Sequence, residues 1–293
     1  MSIALQLFCF GRILRAMKEF ASELESCAAL MPRLADAAGK EALSHFRKQA
    51  PVSNKAGIWF DPVTEADRAS ERVMRQMIGQ VFPRHAILGE EFGEHPGEGY
   101  DAQNPAPLRW ILDPIDGTRA FVCGVPSWMT LIGLECEGEA VLGTIDQPFT
   151  RERWIASAGQ TRYFLRGTEQ PCSVSTLTDI SKARITTTDP RRTQGYFDSD
   201  QADAFRRLSE TSRLARFSLD AYGYALLALG EIDVVLESGL ARHDYSALRP
   251  VVEGAGGIIT NWRGDPVGTD DRGEVLAAAT PQLHAKVMEI VAG

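Results

Sequence analysis

Trp110-Ile111-Leu112-Asp113-Pro114-Ile115-Asp116-Gly117-Thr118-Arg119-Ala120-Phe121 is the stretch on which the fold turns. Its three leading apolar residues predict a buried strand. That strand runs directly into two aspartates three residues apart. Pro114 fixes φ between them, and Gly117 lets the backbone come close to a ligand. Thr118 adds a hydroxyl where the next segment begins. Two hard oxygen ligands, a bare backbone and a hydroxyl suit a divalent metal held together with a phosphate. A plain surface turn is the competing account, because Asp, Pro and Gly are turn formers.

Outward from this stretch, composition sets the class. The chain has 293 residues, 44% of them hydrophobic, enough for one large domain or two moderate ones with a sizeable core. A formal net charge of −8 disfavours nucleic acid or an anionic membrane as a general partner. A phosphorylated metabolite stays in play, because bound cations reverse the local field. Cys9, Cys27, Cys123, Cys136 and Cys172 are scattered, without metal-ligand spacing. They read as reduced thiols of a cytoplasmic protein. Ile3 to Phe10 is apolar but too short to span a bilayer, and it lacks the flanks of a secretory signal. Residues 1–16 are expected to form a poorly packed extension, with Met17 the simpler translation start.

In chain order, residues 18–47 predict a helix containing Pro32, followed by a polar loop over 51–62 with Lys55 and Gly57. Val63-Thr64-Glu65-Ala66-Asp67 opens a second helix, with Val73, Met74, Met77 and Ile78 inward. Thr64 and Asp67 have capping-box spacing, which by itself explains Asp67. Ile87 to Gly89 is a short buried strand ending in Glu90-Glu91, and 93–107 reads as a loop. Met129–Leu134 and Ala140–Ile145 predict an antiparallel hairpin, continued as a meander through Arg162–Leu165. From residue 184 the pattern alternates strands (184–188, 233–236, 257–260, 275–278) with helices (201–212, 222–229, 244–254, 281–291). The fold class is therefore an α+β first half, 17–183, joined to an α/β second half, 184–293, the two sharing one core.

Acidic residues recur in one setting. Glu90 and the Asp113/Asp116 pair follow strands, and Asp244 opens a helix after a loop. Strand ends in α/β architectures are where ligands gather. With Asp67, five carboxylates converge, and they cannot all remain ionised without counter-charge. Two or three Mg²⁺ ions would neutralise them, as in two-metal phosphoryl hydrolysis. Mg²⁺ suits the site better than Zn²⁺, because no His or Cys cluster accompanies the oxygens. A helix cap at Asp244 and a solvated Glu90 are the structural alternatives.

The segments Val63–Asp67, Gly89-Glu90-Glu91, Asp113–Thr118, and Asp244 ahead of Glu253-Gly254-Ala255-Gly256-Gly257 together resemble the inositol monophosphatase superfamily, over nearly the whole chain from about residue 20. The resemblance implies a layered αβαβα sandwich of the inositol monophosphatase and fructose-1,6-bisphosphatase type. It implies that Glu90, Asp113 and the Ile115 carbonyl hold a first Mg²⁺, and Asp113, Asp116 and Asp244 a second. Glu90 lies beside a third, weaker ion. Asp67 and Thr118 then help activate the attacking water, the Gly117 and Thr118 amides bind phosphate, and the chain forms homodimers.

Within the superfamily, Arg119-Ala120-Phe121, Ser127–Ile132, Ile145–Pro148, Asp220–Tyr224 and Asp244–Leu248 are similar to histidinol-phosphate phosphatases. Histidinol phosphate carries an ammonium and an imidazole, which Asp220 or Glu237 could pair. Asp116 and Arg192 complete the candidate substrate contacts. A helix cap at Asp220, a strand-end acid at Glu237 and a solvated loop arginine at Arg192 are the competing accounts. His243 stands before Asp244 where many members carry Trp and this branch often carries Tyr. The expected activity is Mg²⁺-dependent hydrolysis of L-histidinol phosphate in histidine biosynthesis. The alternatives are an inositol monophosphate, a nucleotide 3′-phosphate, a sugar bisphosphate, or a regulatory binding protein that keeps the fold.

Overall fold

The structure, a computed structural model, describes residues 18–48, 53–54, 62–101, 106–191, 196–269 and 272–293. Helix α1 (Ala21–His45) buries Leu24, Cys27, Leu30, Met31, Leu34 and Ala38, a stripe at helical spacing that needs an apolar partner. Pro32 lies inside this helix, and Arg153 Nη1 donates to its carbonyl at 3.3 Å. Strands β1 (Ser53–Asn54) and β2 (Pro62–Val63) pair antiparallel, so the expected loop over 51–62 is bounded by a short ribbon. Lys55 and Gly57 lie outside the described residues, as does the whole segment 1–16. Helix α2 (Glu65–Val81) turns Asp67, Ser70, Glu71, Met74 and Ile78 inward, whereas Val73 and Met77 are only half-buried. The expected apolar face is thus rotated to include three polar groups.

These two helices cover one face of a sheet with the order β10-β9-β8-β7-β6-β5-β3-β4. Its strands are β3 (Ala86–Gly89), β4 (Gly93–His95), β5 (Leu108–Asp116), β6 (Met129–Cys136), β7 (Glu139–Gln147), β8 (Glu152–Ser157), β9 (Gln160–Leu165) and β10 (Thr168–Gln170). Strand β4 corrects the expectation of a plain loop after residue 93. It pairs antiparallel with β3 although all three of its residues are exposed, so burial left no pattern to read. Strand β5 runs parallel to β3 and antiparallel to β6, which places the central stretch in the middle of the sheet. Trp110 and Leu112 point into the α1/α2 layer with Ile132 and Leu134 of β6, while Met129 and Leu131 point to the other face, the period-2 alternation of a strand.

The second sheet has the order β12-β11-β13-β15-β14, from β11 (Arg184–Thr187), β12 (Leu214–Phe217), β13 (Val234–Glu237), β14 (Ile258–Thr260) and β15 (Val275–Ala278). It is mixed: β11 runs parallel to β12 and β13, and β15 antiparallel to β13 and β14. Edge strand β12 was not anticipated, because Leu214 and Phe217 are exposed and give no inward stripe. Helices α5 (Ala221–Ala228) and α7 (Leu248–Gly254) lie between the sheets, in an apolar cluster joining Leu131 and Trp154 of one to Val235 and Val275 of the other. Helices α4 (Ser199–Thr211) and α8 (Pro281–Ala292) cover the outer face around Phe205, Leu236, Trp262 and Leu283. The order α-β-α-β-α is the expected sandwich. The single helix expected over 244–254 is instead α6 (Arg242–Tyr245) followed by α7, with a break at Ser246 and Ala247. Among the described residues no helix is long and apolar enough to cross a membrane.

Candidate active site

Strand β5 delivers the central carboxylates. Its register with β6 shifts between Asp113 and Asp116, an irregularity that re-aims side chains at the strand end. Pro114 sits at the shift, where no backbone donor is required, and Thr130 Oγ1 donates to its carbonyl at 2.9 Å. The backbone then turns at Gly117, whose φ of +77° favours glycine, into the one-turn helix α3 (Thr118–Val122). One carboxylate oxygen from each of Asp113, Asp116 and Asp244 lies within 4.8 Å of the others. Asp244 arrives on α6, with its Oδ2 accepting the Ala241 N–H at 2.6 Å. It is therefore both a helix cap and a member of the cluster. Glu90 follows β3, its N–H donating to the Leu112 carbonyl at 3.1 Å, and its side chain hydrogen-bonds Asp113.

Electrostatics make this an unsatisfied set. Burial, then Glu90, Asp116 and Asp244, hold the Asp113 carboxyl well above the usual carboxylate range. Burial, Asp220 and Asp244 do the same to Asp116, opposed only by the Ala221 N–H donated at 2.7 Å. Burial also raises Asp244, against the pull of His243, whose Nε2 lies 3.4 Å from Asp244 Oδ1. Four carboxyls at this spacing need positive charge to ionise together. The donors are all oxygens, so a hard cation such as Mg²⁺ fits them. The candidate ligands are Glu90, Asp113, the Ile115 carbonyl, Asp116 and Asp244.

Asp67 lies behind Thr118. Its Oδ2 accepts the Thr64 N–H at 2.8 Å and the Thr64 hydroxyl at 2.6 Å, the anticipated capping box. Its Oδ1 is left facing the Thr118 hydroxyl at 3.4 Å. The single Thr118 hydroxyl hydrogen has a nearer alternative acceptor in the Ile115 carbonyl, at 3.0 Å. Capping and site reading are thus two ends of one carboxylate. Burial raises the Asp67 pKa, and Thr64 works against the rise.

A cavity of about 460 Å³ opens over this cluster, lined by Glu90, Asp113, Thr118, Asp220, Glu237 and Asp244 among others. Asp220 precedes α5 but makes no side-chain cap there, so the capping account of it fails. Its φ of +50° and ψ of −141° are rare for a residue with a side chain, and such strain concentrates at functional sites. A β-carbon on Gly117 would lie 3.0 Å from Asp220 Oδ2, so the bare glycine makes room for that carboxylate. Burial lifts Asp220 to about 6 against the Arg119 charge. Glu237, at the end of β13, is 3% exposed. It accepts the Thr188 N–H at 2.8 Å and the Thr188 and Thr187 hydroxyls at 3.0 and 3.2 Å. Burial pushes it to about 8. Arg192 lies outside the described residues. Thr188, Tyr196 and Tyr224 also line the cavity, although none is expected there from sequence. Thr188 follows strand β11, and the rule that ligands collect at strand ends would have found it. Tyr196, whose ring stacks on Arg119 at 4.9 Å, carried no such signal.

Comparisons with known proteins agree with this fold. The bifunctional phosphatase IMPL2, chloroplastic, of Arabidopsis thaliana is 41% identical over 92% of this chain and 75% of its own length. A histidinol-phosphatase of Chlorobaculum parvum is 37% identical over 83% of this chain and 89% of its own. The solved structure of an inositol monophosphatase from Zymomonas mobilis superposes with a TM-score of 0.78 at 34% identity, covering 92% of this chain and 98% of that one. A model described as the inositol monophosphatase family matches residues 23–292. With the layered fold and the carboxylate cluster, these matches identify the chain as a phosphoric monoester hydrolase that belongs to the inositol monophosphatase family.

Proposed function

We propose that the chain hydrolyses L-histidinol phosphate to L-histidinol and inorganic phosphate, with two or three Mg²⁺ ions in the carboxylate cluster. One observation carries the reading: Asp220 and Glu237 line the same cavity as the Asp113, Asp116 and Asp244 group without belonging to it. A phosphate ester with a neutral leaving group offers these two further buried acids no counter-charge. An ester whose leaving group carries an ammonium pairs with them. Such a site also rejects the uncharged analogue, which would leave a desolvated carboxylate unpaired. The relatives named histidinol-phosphatase support the same choice.

Glu90, Asp113 and the Ile115 carbonyl would hold one ion, and Asp113, Asp116 and Asp244 another, with Glu90 beside a third. Mg²⁺ bound there lowers the pKa of water and offsets charge on the phosphoryl and leaving oxygens. Asp67 Oδ1 and Thr118 stand where the attacking water's proton leaves, and Thr64 keeps Asp67 in that orientation. The Gly117 and Thr118 amides take the phosphoryl oxygens. The water oxygen bonds to phosphorus as the ester P–O bond breaks, and a proton returns to the leaving alcohol. Asp220, Glu237 and Arg192 orient the histidinol moiety, and Asp116 touches it from the cluster side. The proposal includes a place in histidine biosynthesis, with the chain acting in the cytoplasm as a homodimer.

Hydrolysis of myo-inositol 1-phosphate is the second reading. A protonated Glu237, raised to about 8, would donate to a polyol hydroxyl. Phosphate release from L-histidinol phosphate, myo-inositol 1-phosphate, a nucleoside 3′,5′-bisphosphate and fructose 1,6-bisphosphate, with Mg²⁺ and with chelator, separates them. The proposal expects Mg²⁺-dependent release with the highest kcat/KM on histidinol phosphate. A higher value on inositol phosphate overturns the substrate, and no Mg²⁺-dependent release from any of the four also overturns it and points to another phosphomonoester.

A further inference from the structure

Glu71 lies on α2, one helical turn beyond Asp67 and on the same face, and is fully buried. A buried carboxylate must be paired or hydrogen-bonded, and this one is both. Arg75 Nε donates to its Oε1 at 2.6 Å. The backbone N–H groups of Glu91 and Phe92 donate to its two oxygens at 2.7 and 3.2 Å. Arg75 continues the bridge through its Nη2 to the Gly93 carbonyl. On the strand side, a β-carbon at Gly89 would overlap the Glu71 carboxyl, so the bare backbone there is what lets the carboxylate reach the turn. The residue between Gly89 and Glu91 is Glu90. Its N–H is fixed to Leu112 of β5, and its side chain meets Asp113.

We propose that Glu71 is a positioning residue: it clamps the Gly89–Phe92 turn from below and thereby sets Glu90 against the Asp113 cluster, so that metal affinity depends on a carboxylate that never touches the metal. The inference rests on the reading of Glu90 as a metal ligand. The helix that orients Asp67 also orients Glu90 through this contact, which ties the proton-accepting side of the site to its metal side. Groups that hold a metal ligand in place typically change metal affinity by about 10- to 100-fold when removed.

The test is calorimetric titration of the metal-free protein with Mg²⁺, beside the Mg²⁺ dependence of turnover, for wild type, Glu71→Gln and Glu90→Gln. Gln has the same shape, but its amide offers one acceptor oxygen to three donors and removes the negative charge opposite Arg75. Glu71→Gln is expected to weaken Mg²⁺ binding at least tenfold and to recover most of its kcat at high Mg²⁺, with little change in KM for substrate. A lowered Tm with an unchanged Mg²⁺ isotherm would make Glu71 a stability residue and overturn the inference. If Glu90→Gln weakens Mg²⁺ binding and Glu71→Gln does not, the ligand reading stands and the clamp fails. If neither changes the isotherm, the ligand reading itself fails. Should Glu71→Gln not fold, Gly89→Ala drives a methyl into the same carboxyl and is expected to shift the Mg²⁺ isotherm in the same direction, an unshifted isotherm again overturning the inference.

Discussion

Raising the pH tests the role of Glu237 without changing the chain. Glu237 is buried beside Asp220, and burial lifts its pKa to about 8. A group at that value is about one-tenth ionised at pH 7 and about nine-tenths ionised at pH 9, and kcat/KM reports the ionisation of the free enzyme. A cationic leaving group binds the ionised form. The ratio of kcat/KM for L-histidinol phosphate to that for myo-inositol 1-phosphate is therefore expected to rise by about tenfold across that interval. Taking the ratio removes pH effects on water activation that both substrates share. Mg²⁺ in the cluster would pull the midpoint lower, and the histidinol amine begins to lose its own proton towards pH 9, so tenfold is the upper bound. Asp220, at about 6, is already mostly ionised at pH 7 and adds little in this window. Glu237→Gln is expected to flatten the ratio and to cost histidinol phosphate about 2 kcal/mol or more, roughly 30-fold in kcat/KM. Assays of phosphate release at several pH values decide it. A flat wild-type ratio, or a slope that survives in Glu237→Gln, would refute the pairing.

The other predictions concern the cluster and its supports. Asp113→Asn is expected to lose at least about a thousandfold in kcat and yet to raise the Tm of the metal-free protein, because it removes one of several repelling buried carboxylates; unchanged turnover would contradict the metal assignment. Since Asp113 and Asp116 have folded pKa values above their ordinary 3.8, their contribution to stability is complete below that value and lost as pH rises through the raised ones. The metal-free Tm should accordingly fall from acid towards neutral pH, and Mg²⁺ should abolish the fall, as differential scanning calorimetry would show. Gly117→Ala places a β-carbon 3.0 Å from Asp220 Oδ2 at a φ of +77°, and should lower Tm and raise KM more than it lowers kcat. Glu135 binds Arg242 at 2.8 and 2.5 Å and Ser246 at 2.8 Å, anchoring the helix that bears Asp244, so Glu135→Gln should lower Tm by calorimetry and raise the Mg²⁺ requirement in assays.

The parts of the molecule that were legible in sequence share one property: their residues answer to a single demand. Strand β5 had to be buried, so Trp110 to Asp116 read as a strand and is one, with its Asp113 and Asp116 carboxylates brought together with Asp244. The α1 stripe and the β6/β7 hairpin followed from burial periodicity in the same way. Elements with little buried surface were missed: β4 is exposed throughout, and β12 exposes Leu214 and Phe217. Residues serving two demands were read as alternatives. Asp67 caps α2 with one oxygen and faces Thr118 with the other, and Asp244 caps α6 while joining the cluster. Glu71 went unnoticed because a glutamate in a helix usually faces solvent, and only the turn of a distant strand explains its burial.

The most direct test of the account is a crystal structure grown with Mn²⁺ and L-histidinol phosphate, in the Asp67→Asn variant to slow turnover. The expected result is anomalous density among Asp113, Asp116 and Asp244, the phosphate against the Gly117 and Thr118 amides, and the substrate ammonium within hydrogen-bond distance of Asp220 or Glu237. Density for the ion elsewhere at saturating Mn²⁺ would contradict the metal site, and an ammonium pointing away from both acids would contradict the choice of substrate.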